Sequence, residues 1–78
     1  MMARIRFFAA AEEAAGAAER AVEASDLGAL RATLVADHPA LAAILPKCTV
    51  LVDGSRVDDT EPLASAAVVD VLPPFAGG

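Results

Sequence analysis

The start of the chain alternates between apolar and charged positions. In ARIRFF (residues 3–8), Ala3, Ile5 and Phe7 fall on one side and two arginines on the other, which is the period of a half-buried strand. The same alternation puts Phe8 on the arginine side, away from the core. We therefore predict a strand over 3–8 that ends in an outward-facing aromatic residue.

The next residues contain two further patterns. Residues 9–18 (AAAEEAAGAA) are strong helix formers interrupted by Gly16, whereas residues 19–24 (ERAVEA) alternate like a strand. A hairpin return to the first strand is a common arrangement in small domains. We therefore predict a short helical turn near 10–15 and a strand near 18–24.

An apolar stripe at helical spacing follows the pair Ser25-Asp26, which supplies an N-cap. The stripe consists of Leu27, Leu30, Leu34 and Val35. This spacing predicts the main helix, packed against a sheet. The helix ends at His38-Pro39, because the residue before a proline avoids the α region. Apolar residues within 41–45 indicate a second, short helical turn.

The second half of the chain contains three strand segments. Residues 48–52 (CTVLV) are rich in strand formers, and Asp53-Gly54 is a hairpin turn signal before a return strand that begins at Arg56-Val57. Residues 68–72 (VVDVL) form the final strand. Pro73 ends it, because proline has no N–H to donate to a sheet.

The order of these elements predicts an α+β roll, in which a mixed sheet of four to five strands packs on one main helix. Asp70 must face solvent, so Val68 and Leu72 share its outer face while the valines between them face the core. We expect one domain over 1–78, with residues 73–78 as an extended tail.

Charge and cysteine content narrow the classes of partner. The chain of 78 residues has a formal net charge of -5 and no basic run, which argues against nucleic acid and against a phospholipid surface as partners. Cys48, the single cysteine, fits a reducing compartment. With no signal peptide or membrane helix predicted, we expect a cytoplasmic protein.

The body of the chain shows no catalytic pattern. His38, the single histidine, stands at a helix end and is interpreted as exposed; Cys48 opens an apolar strand and is interpreted as a packed hydrophobic residue. The adjacent pairs Glu12-Glu13 and Asp58-Asp59 are poorly placed to converge on a substrate or metal. We therefore predict no metal site and a carrier or binding module without an active site of its own.

The tail PPFAGG, residues 73–78, carries the strongest functional signal. Pro73 and Pro74 favour an extended chain at low entropic cost, and glycine permits close approach of the backbone to another protein. Six extended residues reach about 20 Å, at roughly 3.3 Å each. The tail therefore suits insertion of the Gly78 carboxylate into a partner's active site, with Phe75 as an anchor at that partner's surface.

An apolar patch is predicted at the root of this tail. Phe8 and Leu72 face outward by parity, and they are close together if the first and last strands are neighbours. Leu51 has the same outward parity. Such a cluster is typical of a protein–protein docking surface.

These segments resemble the ubiquitin-like sulfur-carrier family and, within it, the small subunits of molybdopterin synthase. The resemblance runs over the full length and rests on IRFFA followed by Glu12, Glu13 and Gly16, on LGALRATL, on VLVDG, and above all on VLPPFAGG (residues 71–78). The family usually has Arg-Glu where this chain has Glu12-Glu13. It usually has an Asp-Gly-Asp turn where this chain has Ser65-Ala66-Ala67.

The resemblance implies a β-grasp fold and a sulfur-transfer cycle. A ubiquitin-activating-type adenylyltransferase would adenylate the carboxylate of Gly78 with ATP and magnesium, and a sulfur donor protein would convert it to a thiocarboxylate. The tail would then enter the large subunit of molybdopterin synthase, in a heterotetramer, and donate sulfur to cyclic pyranopterin monophosphate. This chain would bind no cofactor itself and would be a non-catalytic sulfur-donor subunit.

The resemblance also implies roles for individual residues. Gly78 carries the sulfur, and Gly77 and Ala76 thread through the partner. Phe8 and Leu72 match positions of the family that face the partner, which agrees with their parity. Pro73, Pro74 and Phe75 of the tail would also contact the partner.

Three alternatives remain at the level of sequence. The first is a sulfur carrier for thiamine thiazole or for cysteine. The second is a ubiquitin-like protein modifier, whose Gly78 would form isopeptide bonds with target lysines. The third is a plain binding domain with a passive tail. The first two share the acyl-adenylate chemistry of the leading hypothesis, so the tail alone does not separate them.

Overall fold

Five strands and four helical segments make up the part of the chain that the computed structural model describes, residues 2–74. In chain order they are β1 (Ala3–Phe7), α1 (Ala10–Ala15), β2 (Glu19–Val22), α2 (Leu27–Asp37), α3 (Leu41–Ile44), a 3-10 helix (Leu45–Lys47), β3 (Thr49–Val52), β4 (Ser55–Arg56) and β5 (Val68–Leu72). The predicted α+β roll on one main helix is confirmed.

The strands form a single mixed sheet in the order β2-β1-β5-β3-β4. β1 pairs with β5 in parallel, with Arg6 opposite Asp70, and with β2 in antiparallel orientation. β3 pairs with both β5 and β4 in antiparallel orientation. The last strand, from which the tail leaves, therefore lies in the centre of the sheet with a neighbour on each side.

The core lies between one face of the sheet and α2. The inward residues of β1 are buried, as the alternation predicted, and Val69 and Val71 of β5 are fully buried opposite them. From α2, Leu27, Leu30 and Leu34 complete this core. We call this side of the sheet the inner face and the opposite side the outer face.

The hairpin between β3 and β4 turns at Asp53-Gly54, with φ of 50° and 85° respectively. Positive φ at both central residues defines a type I′ turn, for which Asp-Gly is a favoured pair. Asp53 also joins the hairpin to the start of β5, because its N–H donates to the Val68 carbonyl at 2.7 Å and its side chain accepts from the Val68 N–H at 2.9 Å.

A second turn leads into β5 and contains a strained alanine. The Ala67 N–H donates to the Ala64 carbonyl at 3.1 Å, and Ala66 between them has a φ of 66°. The φ angle of Ser65, the residue before Ala66, is not positive. A positive φ at the third position alone is the type II pattern, which favours glycine there. Ala66 therefore occupies a glycine position.

The N-terminus of α2 is capped by a side chain and covered by the loop before β5. The Asp26 carboxylate accepts from the Ala29 N–H at 2.8 Å, which confirms the predicted N-cap. The Gly28 N–H donates to the Asp59 carbonyl at 2.8 Å, and a Cβ at Gly28 would lie 3.3 Å from Asp59. The glycine thus lets the loop pack directly on the helix.

Several predicted boundaries were too wide. β1 ends at Phe7 because Ala9 reverses the chain with φ 51° and ψ -125°. β2 covers only Glu19–Val22. β4 is Ser55–Arg56, so it begins one residue before the predicted start at Arg56. Cys48 belongs to the end of the 3-10 helix, since its N–H donates to the Leu45 carbonyl at 3.1 Å. In residues 2–74, the helices are too short and polar to cross a bilayer.

Candidate docking site at the root of the tail

The pairing of β1 with β5 brings two predicted docking residues together. The Phe8 N–H donates to the Val71 carbonyl at 3.2 Å, which continues the parallel register and places Phe8 beside Leu72. Phe8 is 39% exposed, and Leu72 is half-buried. The outward orientation of both residues is confirmed, and so is that of Leu51, which is half-buried opposite Asp70.

An ion pair lies directly next to this apolar group. Arg6 Nε is 2.6 Å from Asp70 Oδ1, and Arg6 Nη2 is 2.9 Å from Asp70 Oδ2. This bidentate geometry is the most specific form of an arginine–carboxylate contact. The side chain of Arg6 is 47% exposed and that of Asp70 only 15%. Asp70 is therefore held against the sheet with its charge compensated.

Arg6 also contacts the aromatic ring of the docking group. Its guanidinium carbon lies 5.8 Å from the centroid of the Phe8 ring, within the range of a cation–π interaction. The hydrogen bonds that Arg6 donates to Asp70, and secondarily the negative charge of Asp70, raise the pKa of Arg6. Arg6 is thus fixed by two neighbours, Asp70 and Phe8, and in turn fixes the position of the ring.

This arrangement suits the binding of another protein. Phe8, Leu72 and Leu51 offer apolar area next to the tail, and Arg6 neutralises the one carboxylate among them. A partner therefore does not have to desolvate an unpaired charge, which would oppose binding. We call the set of Arg6, Phe8, Leu51, Asp70 and Leu72 the docking site.

The tail begins at the edge of this site. Pro73 is half-buried and Pro74 is exposed, immediately after the end of β5. The other tail residues named from the sequence, Phe75, Ala76, Gly77 and Gly78, lie outside the described residues. The roles of all six tail residues, and of Phe8 and Leu72 in partner binding, stay predictions.

Cys48 is a packed residue, as interpreted from the sequence. It is half-buried against the core, and its thiol donates to the Ile44 carbonyl at 3.2 Å. Burial raises the pKa of Cys48, although the charge of Arg31 acts in the opposite direction. The thiolate is therefore disfavoured, which is the opposite of what a nucleophilic cysteine requires. In residues 2–74, no group of His, Cys, Asp and Glu is arranged to hold a metal.

The interpretation of His38 as an exposed residue was wrong. His38 is half-buried at the end of α2, and Arg20 Nη1 lies 2.9 Å from its Nε2. Because arginine only donates, Nε2 of His38 is the acceptor in this contact. Arg20 also pairs with Asp37. Arg20 therefore ties β2 to the end of α2, a contact between residues distant in sequence.

Sequence reasoning also missed the Arg6–Asp70 pair. Parity placed each residue on the outer face, but the pair spans 64 positions of sequence. Only the register of β1 against β5 brings the two together. The available signal was an aspartate in an otherwise apolar strand, since such a carboxylate requires a partner or solvent.

The fold and the docking site define a class of protein: a ubiquitin-like β-grasp domain of the sulfur-carrier type. The chain belongs to the ThiS family, whose family model matches residues 5–78. The resemblance to ubiquitin-like sulfur carriers is therefore confirmed. No curated protein matches the chain by sequence.

Solved structures agree with this assignment. The small archaeal modifier protein SAMP1 of Haloferax volcanii matches with a TM-score of 0.88, at 25% identity, over 100% of both chains. A putative molybdopterin converting factor subunit 1 of Pyrococcus furiosus matches with a TM-score of 0.88, at 21% identity, over 96% of this chain and 99% of that one. This second likeness concerns the fold.

A third structure is a complex. A chain in the complex of subunits 1 and 2 of the molybdopterin-converting factor of Helicobacter pylori matches with a TM-score of 0.76, at 29% identity. The match covers 100% of both chains. The solved structures that are similar to this chain therefore include both modifier proteins and converting-factor subunits.

Proposed function

We propose that this chain is a sulfur carrier in molybdenum cofactor biosynthesis, the small subunit of a molybdopterin synthase. The observation that carries the proposal is the position of the tail. PPFAGG follows the central strand β5, whose last residue, Leu72, lies beside the exposed Phe8, so the described root of the tail borders the docking site.

The chemistry we propose takes place at the main-chain carboxylate of Gly78. A carboxylate is a poor acyl donor and needs activation. We propose that an adenylyltransferase of the ubiquitin-activating type supplies ATP and magnesium, attaching AMP to Gly78 with release of pyrophosphate. A sulfur donor protein then supplies sulfur at the oxidation level of sulfide, which attacks the carbonyl carbon and displaces AMP to leave a thiocarboxylate. Gly77 and Ala76 have little or no side chain, which suits passage through a narrow channel.

The proposed acceptor complex is a heterotetramer with the large subunit of molybdopterin synthase. The tail enters this subunit and transfers sulfur to cyclic pyranopterin monophosphate. The docking site, together with Pro73, Pro74 and Phe75, contacts the large subunit at the entrance. The complex of subunits 1 and 2 of the Helicobacter pylori converting factor, one of whose chains is 29% identical to this one, supports a partner of this kind.

The second candidate function is a ubiquitin-like protein modifier. The likeness to SAMP1 of Haloferax volcanii, at 25% identity over the whole chain, favours it specifically. A modifier uses the same activated carboxylate, but lysine amines of other proteins take the place of sulfur. A sulfur carrier for thiamine thiazole or for cysteine is a further variant of the leading proposal.

The test is the intact mass of the protein purified from its native cells. We expect a fraction whose mass corresponds to replacement of one oxygen by sulfur, and we expect that fraction to disappear when Gly78 is deleted. Conjugates with other proteins would support the modifier instead. If neither product forms, and deletion of Gly78 leaves molybdenum-enzyme activity unchanged, the carrier function is wrong. The synthase subunit that co-purifies distinguishes molybdopterin from thiazole or cysteine synthesis.

A further inference from the structure

The exposed large hydrophobic residues of the described chain share one face. They are Met2, 49% exposed, and Phe8, 39% exposed. Both have the parity of Arg4 and Arg6, so they stand on the outer face at opposite ends of β1. Single exposed apolar residues are ordinary, so the surface around each of them decides whether this face suits a partner.

A cleft lies at the Met2 end of this face. It has a volume of about 320 Å³ and is lined by Met2, Ala3, Arg4, Ala21, Ala66 and Val68. The sheet register explains the grouping, because Arg4 lies between Ala21 of β2 and Val68 of β5. The Ala66 N–H donates to the Met2 carbonyl at 3.2 Å, which places the strained turn at the end of the cleft.

The small residues create the space. Ala21 is exposed and Ala66 carries only a methyl group, so neither fills the surface beside Met2 and Val68. The cleft is therefore mainly apolar, and its volume suits one large side chain of another protein. It lies on the same face of the sheet as the docking site, at the other end of β5, because Val68 and Leu72 are the two ends of that strand.

Arg4 gives this cleft a charge preference. Its Nε lies 3.7 Å from Glu19 Oε1, and the two side chains are 68% and 59% exposed. An exposed pair at this distance contributes little to stability. Arg4 is therefore able to turn from Glu19 to a carboxylate on a bound protein with little loss, unlike Arg6, which is held by two hydrogen bonds.

We propose that this cleft is a second docking point for the large subunit that is proposed above to bind at Phe8 and Leu72. It takes one apolar side chain of that protein, with a neighbouring carboxylate that pairs with Arg4. The two points are separated by four residues of β5, about 13 Å at 3.3 Å per residue. The inference rests on the proposed function, because it assumes that a protein covers the outer face.

The experiment uses isothermal titration calorimetry with the full chain and two purified proteins from the same organism. The molybdopterin synthase large subunit is the probe for the proposed occupant. The activating adenylyltransferase is the comparison, and a loss of binding to it alone would overturn the inference. Ala21→Glu fills the cleft and gives Arg4 an intramolecular partner. We expect the affinity of Ala21→Glu for the large subunit to be at least about tenfold lower than that of the wild type. Ala21→Ser keeps the cleft open, and Ala36→Glu adds the same charge on the exposed face of α2; both should bind like the wild type.

Met2→Ser is the second variant, because Met2 lies outside the strands and its replacement does not change the core. It should also weaken binding of the large subunit. If Ala21→Glu does not fold, the affinity of Met2→Ser tests the second docking point. Thermal unfolding of each variant verifies the fold.

The outcomes separate this inference from the proposed function. If Phe8→Asp abolishes binding while Ala21→Glu and Met2→Ser bind like the wild type, the second docking point is wrong and the docking site stands. If neither probe binds the wild-type chain, both ideas fail together. If light scattering finds a wild-type dimer that Ala21→Glu dissociates with unchanged probe binding, the cleft belongs to a second copy and the inference is overturned.

Discussion

At the scale of the residue, Ala66 is the clearest conflict between sequence and backbone. Its φ of 66° is a conformation that disfavours residues with a Cβ. The family that this chain resembles usually has the glycine of an Asp-Gly-Asp turn at this position, whereas this chain has Ala66 in Ser65-Ala66-Ala67. The fold therefore carries local strain at the entrance to β5, and a single substitution is sufficient to remove it.

We predict that Ala66→Gly raises the free energy of unfolding by about 0.5–1 kcal/mol, since relief of the left-handed strain exceeds the extra entropy that glycine loses on folding. The measurement is urea unfolding at equilibrium. Ser65→Gly is the matched control: its φ is not positive, so it should destabilise the protein by about 0.5–1 kcal/mol. Equal effects at both positions would contradict the assigned turn.

Cys48 gives a prediction about pH. Burial raises the pKa of its thiol, so the folded state favours the neutral form and alkylation by iodoacetamide at mildly alkaline pH should be slower than in urea-unfolded protein. The corresponding stability is present below the unfolded thiol pKa and is lost as pH rises through the higher folded value. Melting temperatures of wild type and Cys48→Ala across this range test it. A difference that grows as pH rises would contradict the expected sign.

At the scale of the element, α2 depends on its first turn. Its leucines supply the core, and the Asp26 carboxylate satisfies the Ala29 N–H, which has no partner within the helix. The loop before β5 packs on the same end through Gly28 and Asp59. This end of the helix is therefore the point where the crossover loop is fixed.

We predict that Asp26→Ala lowers the free energy of unfolding by about 1 kcal/mol, the usual effect of losing an N-cap. Asp26→Asn keeps an oxygen acceptor at the same position and should be close to neutral. Both are measured by urea unfolding. A loss from Asp26→Asn as large as that from Asp26→Ala would show that the charge, rather than the cap hydrogen bond, stabilises the helix.

The elements themselves were largely predictable from local patterns. The α2 stripe, the Asp53-Gly54 hairpin and the alternation in β1 each depend on residues close together in sequence. The predicted boundaries were wrong where tertiary geometry decides them. Examples are Ala9, where the chain reverses, and Cys48, which caps the 3-10 helix instead of opening β3. Propensity alone does not indicate either event, because both residues are compatible with the neighbouring element.

Pairings between distant strands were less predictable. Parity places Phe8, Leu72 and Asp70 on one face but does not give the register between β1 and β5. The pairing of the first and last strands was only a condition of the predicted patch, and the Arg6–Asp70 contact was not predicted. The contact of Arg20 with His38 was not predicted for the same reason, because it joins β2 to the end of α2 and local sequence patterns do not show that these elements are close in space.

At the scale of the whole molecule, the sheet separates two functions. Its inner face holds the core with α2, while its outer face holds the docking site and leads to the tail. Because adjacent residues of β1 alternate between these faces, neighbouring phenylalanines have different roles. Phe7 is 2% exposed, and Phe8 is 39% exposed.

This contrast gives a paired prediction. Phe8→Asp should weaken binding of the large subunit by at least about tenfold while the monomer stays folded, because the side chain stands outside the core. Phe7→Asp should unfold the domain, because it buries a charge without a partner. Circular dichroism reports the fold and calorimetry the binding. Loss of folding in Phe8→Asp would refute the outward orientation of Phe8.

The parallel pairing of β1 with β5 has a mechanical consequence. The tail leaves from a central strand with hydrogen-bonded neighbours on both sides. A pull between Met2 and Pro73 draws β1 and β5 in opposite directions along their length, so the evenly spaced bonds between them bear the load together in shear. They do not open one at a time like a zipper. A force applied at Pro73, where the tail begins, therefore acts on a stiff anchor, and the sheet resists unfolding under it.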